Sequence, residues 1–214
     1  MSGGVDLRAH WRVVYETKAP EAVSWFEETS DRSAAWIARA SAGLSAPVRV
    51  LDVGAGASRL ADLLIDGGRV DLAAVDVAAN AFDHTRARLG ALADRIRFVE
   101  ADATAPLGAM PDGWAQVWHD RAVLHFVADE GALEGYAANL ARILAPGGAV
   151  VLAGFAPDGP ERCSGLPVVR RDGAAFVEAV SRAGRRFELV DEERADHVTP
   201  WGAVQRFAWC LLRG

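Results

Sequence analysis

The sequence predicts a doubly wound α/β fold with a mostly parallel sheet, because short apolar runs bounded by turn residues alternate with segments of helical spacing. The runs are Val48 to Val53, Leu72 to Val77, Ile96 to Ala101, Ala115 to Trp118 and Ala149 to Phe155. Each is a strand buried on both faces. Between them Leu60, Leu63 and Leu64 make one helical stripe, and Leu133, Tyr136, Leu140, Ile143 and Leu144 make another. Ala145-Pro146-Gly147-Gly148 ends the second helix, since Pro cannot continue it and Gly permits the reversal into the next strand. Gly173 to Ala183 has the spacing of a further helix. Phe187 to Val190 and Gln205 to Leu212 are expected as two last strands joined by a long loop, paired as a hairpin with the final strand antiparallel to the rest. Residues 1–45 stand outside this alternation and carry Trp11, Tyr15, Trp25, Phe26 and Trp36. They are expected as a helical lid segment across the top of the sheet, ahead of a domain at 46–214.

The 214 residues, 51% hydrophobic, suit one α/β domain with a full core. Lys plus Arg total 23 against 29 Asp plus Glu, and the net charge of -6 disfavours nucleic acid as a partner. The start, MSGGVDLRAHW, lacks the pattern of a secretory signal, and no apolar run is long enough to cross a bilayer, so a cytoplasmic protein without membrane partners is expected. Cys163 and Cys210 are too few and too far apart in sequence for a zinc site or disulfide framework.

The run Val50-Leu51-Asp52-Val53-Gly54-Ala55-Gly56 takes a buried strand into a glycine turn, at the strand end where doubly wound folds bind nucleotides. Asp52 would repel the pyrophosphate of a dinucleotide, and Ala57-Ser58-Arg59 lacks the third glycine of that pattern. A cofactor with an ammonium and a sulfonium but no phosphate, S-adenosylmethionine, suits an acidic site better. Asp76 ends the second strand where a carboxylate can accept from both ribose hydroxyls, and Asp102, after the third, can accept from an adenine amino group.

These features together resemble the class I S-adenosylmethionine-dependent methyltransferase family, from Leu44 to the C-terminus: the DxGxG turn, the acids ending strands two and three, and the Pro-Gly-Gly turn before strand five. The resemblance implies a Rossmann-like seven-stranded sheet with a reversed last strand. It implies that Gly54 and Gly56 line the methionine part of the cofactor, that Asp76 holds the ribose and that Asp102 with Ala103 reads the adenine; Asp52, Val77 and His119 are further candidate cofactor-binding residues. Tyr15-Glu16-Thr17-Lys18 with Ser24-Trp25-Phe26 is similar to a segment that closes over the cofactor in a subgroup including protein-lysine methyltransferases, which makes Tyr15 and Trp25 lid residues.

Methyl transfer needs a deprotonated nucleophile held in line with the sulfonium; a base assists but is not obligatory. At the end of the fourth strand His119 and His125 are the candidate bases and Asp120 the group that would orient either, with packed histidines as the competing reading. Arg121, Phe155, Arg162 and Cys163 join Tyr15 and Trp25 as candidate substrate contacts, and His197 and Trp201 as further wall residues. The segment at His119 departs from the Asn/Asp-Pro-Pro pattern of amide and adenine methyltransferases, whereas Asp120-Arg121 is a loose analogue of an Asp-Lys pair found in some lysine methyltransferases. The expected acceptor is therefore an N, S or O atom of a small molecule, with protein lysine open as an alternative and a monomer or homodimer as the state. An NAD-dependent oxidoreductase and a non-catalytic cofactor-binding module are the competing classes.

Overall fold

A computed structural model describes residues 6–214. Residues 1–5, which open both the lid segment and the start read for a signal, lie outside the described residues. Strands β1 (Val48–Val53), β2 (Val70–Asp76), β3 (Ile96–Glu100), β4 (Ala115–Arg121), β5 (Leu144–Phe155), β6 (Glu188–Val198) and β7 (Val204–Arg213) form one seven-stranded sheet. Its order is β3-β2-β1-β4-β5-β7-β6, and β7 runs antiparallel to both neighbours, as expected from the sequence. The chain leaves β1 toward β3 on one side and returns to β4 on the other. This reversal opens a crevice at the carboxyl ends of β1 and β4.

Alternation along the strands divides the core into two layers. Leu51, Val53, Trp118 and Leu152 face α5 (Glu130–Ile143) and α6 (Gly173–Val180), meeting Leu133, Tyr136, Leu140 and Phe176. Val50, Val117 and Val151 face α2 (Asp31–Ala40), α3 (Leu60–Ile65) and α4 (Ala81–Leu89), meeting Trp36, Ile37, Leu60 and Phe82. Aspartates cap α1 (Leu7–Thr17), α5 and α6: Asp6, Asp129 and Asp172 accept from the amides of Ala9, Ala132 and Ala175 at 3.0 to 3.1 Å. Each such cap is worth about 1 kcal/mol.

Four local expectations are corrected. Leu144 is the first residue of β5, so the Pro-Gly-Gly segment lies inside that strand, where the register against β4 shifts between Ala115 and Val117. Leu63 turns to solvent, because α3 is only six residues long and buries a single face. The stretch after Val190 is strand, not loop. β6 is a sheet edge whose charged run Asp191, Glu192, Glu193 and Arg194 alternates between the two faces, so no apolar run marks it. Finally, α2 does not cross the top of the sheet; Trp36 and Ile37 seat it on the sheet face, with Trp36 stacked on Trp209 at 6.2 Å. Among the described residues no helix is long and apolar enough to cross a membrane.

Candidate active site

The glycine turn after β1 is pinned to β2. Gly54 and Ala55 donate to the Val75 carbonyl at 2.7 and 3.0 Å, and Gly56 donates to Asp76 Oδ2 at 2.9 Å. Gly54 and Gly56 have φ of +67° and +55°, a region that glycine enters without cost. A Cβ on Gly54 would collide with Val123, and one on Gly56 would stand 2.6 Å from the Tyr15 hydroxyl. The turn is therefore overlaid by side chains from β4's end and from α1. Asp76 also accepts from Ala78 at 2.9 Å. Burial pushes its carboxyl up to about 6 against the opposing pull of those amides. Asp102 gives Oδ1 to the Thr104 amide and hydroxyl, at 2.8 and 2.7 Å, which leaves Oδ2 free to accept from a ligand.

One pocket spans the carboxyl edge. Asp76, Val77, Asp102 and Ala103 line the end over β2 and β3, and Gly54 lies at the middle. Trp25, Arg121, Phe126 and Cys163 line the end over β4. Leu7, Trp11 and Tyr15, spaced four apart and so on one face of α1, cover it. Trp11 meets Trp25 at 5.4 Å and Phe126 at 5.3 Å, both edge to face. Ala122 in the pocket wall holds a φ of 71°, the left-handed region, at a cost of about 1 kcal/mol or more for a non-glycine residue. Its amide is fixed to the Ala153 carbonyl at 2.8 Å.

Arg121 ties the 24–27 segment over this end. It donates to the Trp25 carbonyl at 3.2 Å and to Glu27 at 2.9 Å, and its guanidinium stacks on Phe207 at 5.2 Å. His197 supports the same segment through a 2.7 Å bond from Nε2 to the Ser24 carbonyl. Burial raises the Cys163 thiol to about 11 and holds the Tyr15 phenol well above its ordinary range, so both stay protonated near neutrality.

Several expected site residues lie elsewhere. His119 points into the α2 layer, where Nδ1 donates to Asp52 Oδ1 at 2.7 Å and Nε2 pairs with Ser33 Oγ at 3.1 Å. Neither His119 nor Asp52 lines the pocket, so Asp52 faces a histidine and not the cofactor space. Asp120 points to the opposite layer and accepts from Val123, Leu124 and the Tyr136 hydroxyl at 2.9, 3.0 and 2.6 Å. Consecutive strand residues face opposite sides, so Asp120 cannot orient His119. His125 is buried between Phe126 and Phe155, with ring nitrogens that find no partner among the described residues, and burial beside Arg121 and Arg171 lowers it to about 3. Phe155 is core, Arg162 is exposed and bonded to the Gly165 carbonyl, and Trp201 is 62% exposed. Of the expected contacts, Tyr15, Trp25, Arg121, Cys163, Gly54, Asp76, Val77, Asp102 and Ala103 come together in the pocket. Gly56 adjoins it under Tyr15. Trp11 and Phe126 were not anticipated there; the four-residue step from Trp11 to Tyr15 was the available signal.

Residues 50–148 match the family model described as a methyltransferase domain. No curated protein matches the sequence. Among solved structures, one concerning conversion of a disulfide bond into a thioacetal group during echinomycin biosynthesis aligns at 18% identity and a TM-score of 0.73, over 97% of this chain and 92% of that one. The 1,6-didemethyltoxoflavin-N1-methyltransferase of Burkholderia thailandensis, with bound 1,6-didemethyltoxoflavin and S-adenosylhomocysteine, aligns at 21% and 0.69, over 97% and 86%. The N-methyltransferase NodS of Bradyrhizobium japonicum WM9, in complex with S-adenosylhomocysteine, aligns at 13% and 0.66, over 96% and 98%. At these identities the structural likeness speaks for the fold. With its seven-stranded sheet, its glycine turn and its match to a methyltransferase domain over residues 50–148, the chain is similar to class I S-adenosylmethionine-dependent methyltransferases.

Proposed function

We propose that this protein binds S-adenosylmethionine along the carboxyl edge of the sheet and moves its methyl group to an N, S or O nucleophile of a small molecule. The observation that carries this reading is the single pocket running from Asp102 and Asp76, past Gly54, to the aromatic chamber at Arg121. The residues present fit the methyl donor. Asp76 offers a carboxylate to ribose hydroxyls, Asp102 Oδ2 accepts from the adenine amino group, and Gly54 lines the stretch between them and the β4 end. A dinucleotide is disfavoured, because the Gly54, Ala55 and Gly56 amides that would hold a pyrophosphate are committed to Val75 and Asp76. When bound, S-adenosylmethionine supplies a methyl group activated by its sulfonium.

The chain's own contribution is placement and exclusion of water. Trp11, Tyr15 and Trp25 roof the reacting space. Holding two reactants in line lowers a barrier by about 7–11 kcal/mol. No histidine lines the pocket among the described residues, and Tyr15 and Cys163 retain their protons, so catalysis works through positioning and not through a protein base. The test is formation of S-adenosylhomocysteine with a panel of small-molecule acceptors and with lysine peptides. Turnover with a small molecule is expected. Turnover with peptides alone, or nicotinamide-dependent redox activity, would overturn the proposal.

A further inference from the structure

The acceptor end of the pocket is aromatic and holds a single cation. Trp11, Trp25 and Phe126 wall it, and Arg121 is the one charged side chain lining it among the described residues. The lining carboxylates, Asp76 and Asp102, belong to the ends of β2 and β3, on the far side of β1. Arg121 gives its terminal nitrogens to Trp25 and Glu27, while its Nε–H is buried with no acceptor among the described residues. Arg121 thus lines the pocket with one of its donors unmet, and a ligand that brings negative charge to that end is favoured. Glu27 offsets part of the guanidinium charge but does not line the pocket. A cationic acceptor would thus meet Arg121 with no carboxylate among the described residues lining that end.

Among the described residues the same walls lack a group able to take the acceptor's proton. His197 stands behind Arg121 with Nε2 committed to Ser24, and Tyr15 and Cys163 are themselves protonated. Resting on the methyltransferase reading, we propose that the acceptor is a planar, conjugated small molecule whose N–H, O–H or S–H ionises near neutral pH, and that it binds as its anion against the aromatic wall of Trp11, Trp25 and Phe126 with its delocalised charge toward Arg121. Its proton passes to solvent before closure. The anion's lone pair then forms the bond to the methyl carbon as the carbon–sulfur bond breaks, and that electron pair stays on sulfur, which leaves as a neutral thioether. Charge cancels between anion and sulfonium, so Arg121 serves to select and hold the anion.

The proposal is tested by direct binding to protein saturated with S-adenosylhomocysteine, using 4-nitrophenol, 4-nitroanisole and phenyltrimethylammonium as probes. The absorbance of 4-nitrophenol reports its ionisation. Its ionisation midpoint should fall by about one pH unit on binding, equivalent to about tenfold tighter binding of the anion than of the neutral phenol. The anisole and the ammonium should bind at least about tenfold more weakly than the phenolate. Glu27→Gln should enlarge the shift and Arg121→Lys should shrink it, a pair that stays informative if bulkier changes at Arg121 unfold the segment it anchors. Binding of the phenol in its colourless form, preference for the ammonium, or no binding of any probe would overturn the proposal while leaving the methyltransferase reading intact. Failure of S-adenosylhomocysteine itself to bind, seen by calorimetry, would instead remove that reading and this proposal with it.

Discussion

His119 and Asp120 sit side by side on β4, and their separation into opposite layers explains why residue type and strand end were not enough to place them. Position along a strand is legible in sequence, as Asp76 and Asp102 show. The face a polar residue takes depends on partners brought from distant elements, here Ser33 of α2 and Tyr136 of α5. His119→Ala would strand the buried Asp52 carboxylate, so a loss of about 3–5 kcal/mol in denaturant unfolding is expected, with S-adenosylhomocysteine affinity of the folded fraction retained. Full stability with abolished turnover would restore His119 as a catalytic group. His125 leads to a pH-dependent prediction. Its folded midpoint, about 3, lies below the ordinary 6.5, so the unfolded chain binds the extra proton and stability is lost as pH falls below 6.5. His125→Phe removes this penalty along with two unpartnered nitrogens. The variant's advantage in thermal unfolding should widen by about 1.4 kcal/mol per pH unit from pH 6.5 downward; a constant gap would show that the histidine is not held neutral. At Gly54, an alanine would meet Val123 and a disfavoured φ together, so Gly54→Ala should abolish measurable S-adenosylhomocysteine binding in calorimetry.

At the scale of elements, α1 differs from the sheet helices in burying only Val14 fully, while Leu7, Trp11 and Tyr15 touch the pocket. Its hold on the domain comes through Trp11 against Trp25 and Phe126, and through the Arg8–Glu100 and Asn80–Arg12 contacts at the surface. Few buried contacts mean a low local opening energy. Amides of α1 should therefore exchange hydrogen faster than those of β1 and β4, and S-adenosylhomocysteine should slow them; exchange in α1 that ignores the ligand would argue against its role as a cover. The elements that were legible, β1 to β5 and α5, bury apolar runs or stripes. β6 was not, because an edge strand with a charged run on both faces has the local composition of a loop, and only its pairing with β7 makes it a strand. The same holds for α2, whose charged Arg32 and Arg39 reach Glu193 and Asp191 on β6 and whose seat on the sheet face is fixed by Trp36 meeting Trp209.

For the whole molecule, the reversal of strand order between β1 and β4 creates the crevice, the glycine turn and the acids of β2 and β3 furnish one end of it, and α1 with the Arg121-bound 24–27 segment closes the other. The central claim is that this pocket binds S-adenosylmethionine through Asp76 and the Gly54 turn. Titration calorimetry of the wild-type chain with S-adenosylhomocysteine and with NAD, repeated on Asp76→Asn, tests it most directly. The account predicts one-to-one binding of S-adenosylhomocysteine, no heat with NAD, and an affinity lowered by about ten- to a hundredfold when the charged ribose acceptor becomes a neutral amide. Tight binding of NAD without S-adenosylhomocysteine, or an Asp76→Asn variant that binds S-adenosylhomocysteine as tightly as the wild type, would contradict it.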